Sequence, residues 1–134
     1  MSAHARGIFE LQSWDEDAYL ELEGGAKLTR ASVAQRFSGD LDGEGSVEWL
    51  MCYADDGTAR FVGLQRVAGT LAGRRGAFVL EVEGTFDGTT AQGSWTVVPG
   101  SGTDQLAGLE GRGGFEAPRG PKASWTLDHH LPSS

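Results

Sequence analysis

The stretch Val47-Glu48-Trp49-Leu50-Met51-Cys52-Tyr53-Ala54, then Asp55-Asp56-Gly57-Thr58, then Ala59-Arg60-Phe61-Val62-Gly63-Leu64-Gln65 decides the fold class. Two runs rich in Val, Trp, Tyr and Phe are separated by a turn signal. Asp-Gly between such runs marks a β-hairpin, because a type I′ turn needs positive φ at both central residues. With Asp56-Gly57 as the turn, Cys52 is expected to face Phe61, Leu50 to face Gly63, and Glu48 to face Gln65.

The same punctuation recurs in both directions. Gly24-Gly25, Asp42-Gly43, Gly73-Arg74 and Asp87-Gly88 each interrupt an apolar run. They divide the chain into expected strands at roughly 17–23, 26–39, 46–54, 59–71, 76–86 and 89–98, with two more near 109–116 and 122–130. Ala117-Pro118-Arg119-Gly120-Pro121 joins the last two. Segment 7–14 either starts the first strand or forms its own. No stretch has a sustained helical period; one helical turn is expected near 103–108, capped by Thr103 or Asp104.

Register follows from the turns. Phe37 is expected opposite Glu48, Gln65 opposite Val82, Val82 opposite Gly93 and Leu20 opposite Thr29. One face then carries Leu20, Leu22, Val33, Phe37, Leu50, Cys52, Phe61, Val67, Phe78, Leu80, Val82, Phe86, Trp95 and Val97. The other carries mostly Arg, Glu, Ser and Thr. With no helix to cover the apolar face, the sheet must close on itself. The expected fold is all-β: a closed antiparallel up-and-down β-barrel of about eight strands, one domain over residues 1–134.

Composition agrees. The chain has 134 residues and 21 glycines, where average usage of roughly 7% predicts about nine. Many tight turns account for the excess. The net charge of −8 repels phosphate backbones and anionic membranes, so neither nucleic acid nor a membrane is an expected partner. The lone cysteine, Cys52, excludes an internal disulfide, and the N-terminal residues lack the apolar core of a signal peptide. A cytoplasmic protein is expected.

Several motifs carry a resemblance. They are Ser13-Trp14-Asp15; Phe37-Ser38-Gly39-Asp40-Leu41-Asp42-Gly43; Gly69-Thr70-Leu71-Ala72-Gly73-Arg74; Gly76-Ala77-Phe78-Val79-Leu80; and Pro99-Gly100-Ser101-Gly102-Thr103 followed by Leu106-Ala107-Gly108-Leu109. Over nearly its whole length the chain resembles the DUF3224 family of bacterial proteins, a domain of unknown function, in the allene oxide cyclase-like barrel superfamily. The resemblance implies a barrel. Allene oxide cyclases close an unstable fatty epoxide inside an apolar barrel without a cofactor, and related barrels cyclise other natural products. No cyclase catalytic residue maps onto a position here, and a shared fold does not carry chemistry with it.

Candidate site residues come from the expected register. Glu48 on the apolar face would have its pKa raised by burial, which suits a general acid or base; a glutamate satisfied by neighbouring amides is the plainer reading. Gln35 and Gln65 would orient a ligand or simply satisfy Glu48. Cys52, Phe78, Leu80, Trp95 and Trp125 would line the cavity or fill the core. Gly63, Gly69, Gly84 and Gly93, also inward, would leave room or let the barrel bend sharply. Trp49, Met51 and Tyr53 form an outward apolar stripe beside Val62 and Leu64, which reads as a homo-oligomer interface or a surface covered by segment 7–14. Adjacent His129 and His130 point to opposite faces, and no cluster has metal-ligand spacing, so no metal or cofactor is expected. Gly100-Ser101-Gly102-Thr103 has no following Lys and is no phosphate loop. Asp15-Glu16-Asp17 reads as a solvated turn.

Three functions fit this interior. One is cofactor-independent isomerisation or cyclisation of a small apolar or aromatic molecule, with Glu48 as acid or base. The second is a non-catalytic carrier or sensor of such a molecule. The third is a solidly packed structural barrel.

Overall fold

The computed structural model describes residues 2–118, 120 and 122–131, so Arg119 and Pro121 of the expected last connection lie outside the described residues. The strands are β1 (Ser2–Glu21), β2 (Lys27–Gly39), β3 (Leu41–Tyr53), β4 (Ala59–Leu71), β5 (Arg74–Phe86), β6 (Ala91–Val97), β7 (Glu110–Ala117) and β8 (Lys122–His130). They form a closed barrel in chain order. β1 closes it by pairing antiparallel with both β2 and β8, Gly7 lying between Gly39 and Trp125. Segment 7–14 is thus the middle of β1. That strand passes through two register irregularities, between Leu11 and Ser13 and between Ala18 and Leu20, and runs on past the end of β8.

The turns differ from the expected ones, and the differences decide which side chains enter the barrel. After β3, Ala54 N–H donates to Thr58 O at 2.8 Å, closing a three-residue loop over 55–57 with Gly57 at φ 87°. This is the three-residue hairpin whose last position is left-handed, which favours glycine. Asp56 Oδ1 fixes it by accepting from Thr58 N–H at 3.0 Å. Val47, not Glu48, therefore faces Gln65.

Between β2 and β3 the bend falls at Gly39-Asp40, and Asp42-Gly43 lies inside β3. Asp40 is held from three directions: its N–H donates to Arg6 O, its carboxylate accepts from Arg6 N–H, and its carbonyl accepts from Ala72 N–H, all within 3.0–3.1 Å. Phe37 consequently faces Gly43 rather than Glu48. Both shifts are an odd number of residues, so β3 is turned over; at the end of β1, Leu20 faces Leu28 rather than Thr29, a slip of one that turns Leu20 outward as well.

The β4–β5 turn is Ala72-Gly73, at φ 50° and 82°, and Gln65 faces Leu80. Val82 faces Trp95 across the next hairpin. These slips are two residues each, so the faces of those strands stand as expected.

The interior is packed with rings. Phe9 and Phe37 have centroids 5.3 Å apart, Phe37 meets Trp125 edge-on at 6.0 Å, and Trp95 lies 5.4 Å from Phe115. The inward glycines do not leave empty room. A Cβ on Gly63, Gly84 or Gly93 would collide with Trp49, Phe61 or Phe115 respectively.

One end of the barrel is a sealed floor. β5 is longer than β6, and loop 98–109 covers the part of its edge that β6 leaves. Val79 N–H donates to Ser101 Oγ at 3.0 Å, Ala77 N–H to Thr103 Oγ1 at 3.0 Å, and Arg75 N–H to Gln105 Oε1 at 2.8 Å. Alternate loop side chains thus satisfy alternate backbone donors, as a strand would. Thr103 is committed to β5, so the 3-10 turn at Asp104–Leu106 has no side-chain cap. Leu106 and Leu109, each 1% exposed, plug the floor. A second 3-10 turn, Glu23–Gly25, links β1 to β2.

A candidate ligand site at the barrel mouth

The opposite end holds a pocket. Inward residues near the ends of β3, β5 and β7 and near the starts of β4, β6 and β8 surround an apolar pocket of about 280 Å³. Its wall includes Leu11 and Trp14 from β1, Trp49, Met51 and Tyr53 from β3, Phe61 from β4 and Phe86 from β5; Pro118, Gly120 and Lys122 border it at the β7–β8 end. Trp49 is the central ring. It meets Trp14 edge-on at 5.5 Å, tilts against Phe61 at 5.0 Å and stacks at 6.2 Å on Phe115.

β1 brings Trp14 here by a specific tether. Glu16 accepts from Trp14 Nε1 at 2.9 Å and from Thr29 Oγ1 at 2.6 Å. Tyr53 stands on the same carboxylate. Burial pushes its phenol up to about 12, and hydrogen bonding to Glu16 and that group's negative charge push the same way. Tyr53 therefore stays a neutral donor, and its hydroxyl also lies 3.7 Å from Met51 Sδ. Asp15-Glu16-Asp17, expected to be a solvated turn, is strand, and Glu16 is the carboxylate that fixes the pocket's outer wall.

The residues singled out from sequence lie elsewhere. Glu48 is on the outer wall, where Arg30 Nη2 donates to it at 3.0 Å and Ser32 Oγ also donates. The Ser32 bond first, then the Arg30 bond, hold its pKa below the ordinary carboxylate value, opposite to the expected upward shift. Cys52 is also outside and exposed. Leu20, Leu22 and Leu50, expected inside, are exposed as well. The physical cause for β3 is the three-residue loop and the Asp40 corner. Trp49 and Met51 are each 5% exposed and Tyr53 is half-buried, so this stripe points inward and offers no outer interface.

Gln35, Gln65, Phe78, Leu80, Trp95 and Trp125 are inside as expected, but all are packed in the core and none lines the pocket. Gln65 Nε2 donates to Gln35 Oε1, so the two amides serve each other and not Glu48. His129 is buried at the floor end, where burial lowers its pKa against the opposing pull of Asp128 and Asp40.

Among the described residues, three buried side-chain polar atoms have no hydrogen-bond partner: Trp49 Nε1, Trp125 Nε1 and Gln65 Oε1. Of these three residues only Trp49 lines the mouth pocket. Among the described residues no group of three or more His, Cys, Asp and Glu side chains could hold a metal ion, and no helix is long and apolar enough to cross a membrane.

A larger depression of about 830 Å³ runs across the outer wall past Arg30, Glu48, Leu50, Val62, Leu64, Glu81 and Glu83, but it is an open groove. The pocket at the mouth is the more enclosed site.

Such a molecule belongs to the small closed up-and-down barrels. More narrowly, residues 5–129 match the family described as protein of unknown function (DUF3224), and the chain belongs to that family. A crystal structure of a DUF3224 protein of unknown function from Shewanella oneidensis MR-1 superposes with a TM-score of 0.84, at 27% identity, with 100% of each chain covered. No curated protein matches the chain.

Proposed function

We propose that this protein is a binding barrel that holds one small, mainly apolar molecule in the mouth pocket and does not transform it. The observation that supports the reading is the pocket itself: about 280 Å³, walled by Trp14, Trp49, Met51, Phe61 and Phe86, at the end of the barrel opposite loop 98–109. Small-molecule sites are typically concave and lined by aromatic and aliphatic side chains, with volumes from about 300 Å³ upward. This one suits a compact ligand. Cofactor-independent isomerisation is the weaker reading, because it requires Glu48 as acid or base and that carboxylate is on the other side of the sheet.

The test is an NMR titration with ethylbenzene, chosen for size and lack of polar groups. Saturable shifts confined to residues around Trp49, Met51 and Phe86 are expected. Ala91→Phe puts a ring into the same space and should abolish the shifts, whereas Glu48→Gln should leave them unchanged. Binding that survives in Ala91→Phe, or none in the wild type, would overturn the proposal.

A further inference from the structure

We propose that the outer wall of β3 and β4 is a docking face for a second copy of this chain. A two-fold axis running along the strands between them sets Leu50 against Val62 of the second copy and Arg30 against its Glu83. This face lies on the other side of the sheet from the mouth pocket, so neither reading depends on the other.

The turned-over β3 takes Trp49, Met51 and Tyr53 inward and brings Leu50 out beside Val62 and Leu64. Register sets four residues in one row across four strands: Arg30 faces Leu50, Leu50 faces Val62, and Val62 faces Glu83. All four are exposed. Leu50 is 50% exposed and Val62 52%, and Leu64, on the same face of β4, is 58% exposed. Single exposed apolar side chains are ordinary, but neighbours on adjacent strands make a patch, and patches mark interaction surfaces.

The order of charges in that row identifies the occupant. It reads cation, apolar, apolar, anion. A two-fold rotation reverses the order, and the reversed row is the complement of the original, as a self-docking surface requires. A face bearing one sign of charge would call for a partner of the other sign; this one carries both. Arg30 gives Nη2 to Glu48 at 3.0 Å, which leaves further donors of its guanidinium fork for a second carboxylate. Among the described residues the carboxylate of Glu83 has no ion-pair partner. In the next row, Ser32, Glu48, Leu64 and Glu81, the same rotation sets Glu48 opposite Leu64 and Ser32 opposite Glu81. No like charges stand directly opposite in either row. Four strands spaced about 4.8 Å apart make a narrow contact, well short of the roughly 800 Å² per partner of a stable complex. The net charge of −8 opposes association further. The dimer is therefore weak, with a dissociation constant on the order of 100 μM.

The experiment is sedimentation velocity at physiological salt over a concentration series reaching about 1 mM, where wild type should pass from monomer toward dimer. Arg30→Glu and Glu83→Arg each set like charges opposite one another twice per dimer, and each should weaken self-association about tenfold or more. Mixed in equal amounts, the two variants regain an Arg–Glu pair at both positions. The mixture should therefore associate about as well as wild type. Wild type that stays monomeric overturns the proposal and leaves the face to a partner of different sequence. Variants that associate like wild type, or a mixture that does not restore association, overturn it equally. Should a variant not fold, amide shifts of wild type on dilution decide: they should cluster around Leu50, Val62 and Glu83, and shifts confined to another face refute this one.

Discussion

The two ends of this barrel solve the same problem in opposite ways. At the floor, loop 98–109 lends Ser101, Thr103 and Gln105 side chains to the uncovered edge of β5 and drives Leu106 and Leu109 into the core. At the mouth, β1 overshoots its partner β8 and leans Trp14 over a pocket, and one buried N–H is left unpaired. The floor satisfies its backbone donors with alternate loop side chains; the mouth leaves space and one unpaired donor. Stability is thus expected to reside at one end and recognition at the other.

Perturbing the floor should have the largest effect. Leu106→Ala removes a fully buried side chain whose site cannot collapse easily, and should cost about 2–5 kcal/mol in urea denaturation. Its affinity for ethylbenzene should be unchanged; an affinity loss as large as the stability loss would break the division of labour. Thr103→Val is next. It keeps the shape but leaves Ala77 N–H without its acceptor, for an expected loss of about 1–3 kcal/mol. A loss near zero would mean that water replaces the hydroxyl and the loop seals less than its geometry suggests.

The mouth should respond inversely. Trp14 is 43% exposed, so Trp14→Ala should lose its edge contact with Trp49 and its hydrogen bond to Glu16, about 1–2 kcal/mol together, while weakening ethylbenzene binding measurably.

The smallest effects are on pH dependence, and they too separate the ends. His129, at the floor, is held below its ordinary value by burial, so the folded state favours the neutral ring. The stability it contributes is present above an unfolded pKa near 6.5 and is lost as pH falls from there through the lower folded value. Tyr53, at the mouth, is raised to about 12, so its contribution is present below an unfolded value near 10 and is lost as pH rises from there toward 12. Denaturation midpoints should decline on the acid side in wild type but less in His129→Gln, and on the alkaline side in wild type but less in Tyr53→Phe. The same slopes in variant and parent would show that neither group couples folding to pH.

Much of this architecture can be read from sequence, because turn residues and alternation announce eight strands and no helix is available to cover them. The interior can be read where one face is clearly apolar: Val33, Phe37, Val67, Phe78, Leu80, Val82, Trp95 and Trp125 all point inward. β3 is the exception, because both of its faces are apolar, with Trp49, Met51 and Tyr53 on one and Leu50 and Cys52 on the other. Alternation does not discriminate between them, and turn length decides. Asp55-Asp56-Gly57 holds one residue more than a two-residue turn, and a slip of one exchanges the faces of a strand. Glu48 is the available signal: a carboxylate between arginine and serine neighbours belongs in water. The same slip hides the mouth pocket, since a two-residue turn puts three of its wall residues outside. Glu16 carries no signal, because its role depends on a β1 bulge that brings Trp14, Thr29 and Tyr53 around it.

The hydroxyls of Ser101 and Thr103 have a consequence beyond the fold of a single molecule. An uncovered strand margin is a template on which another chain can add itself. By occupying alternate amides of β5, two small side chains deny that template to neighbours, so the lid on the floor also guards the protein against fibrous self-association.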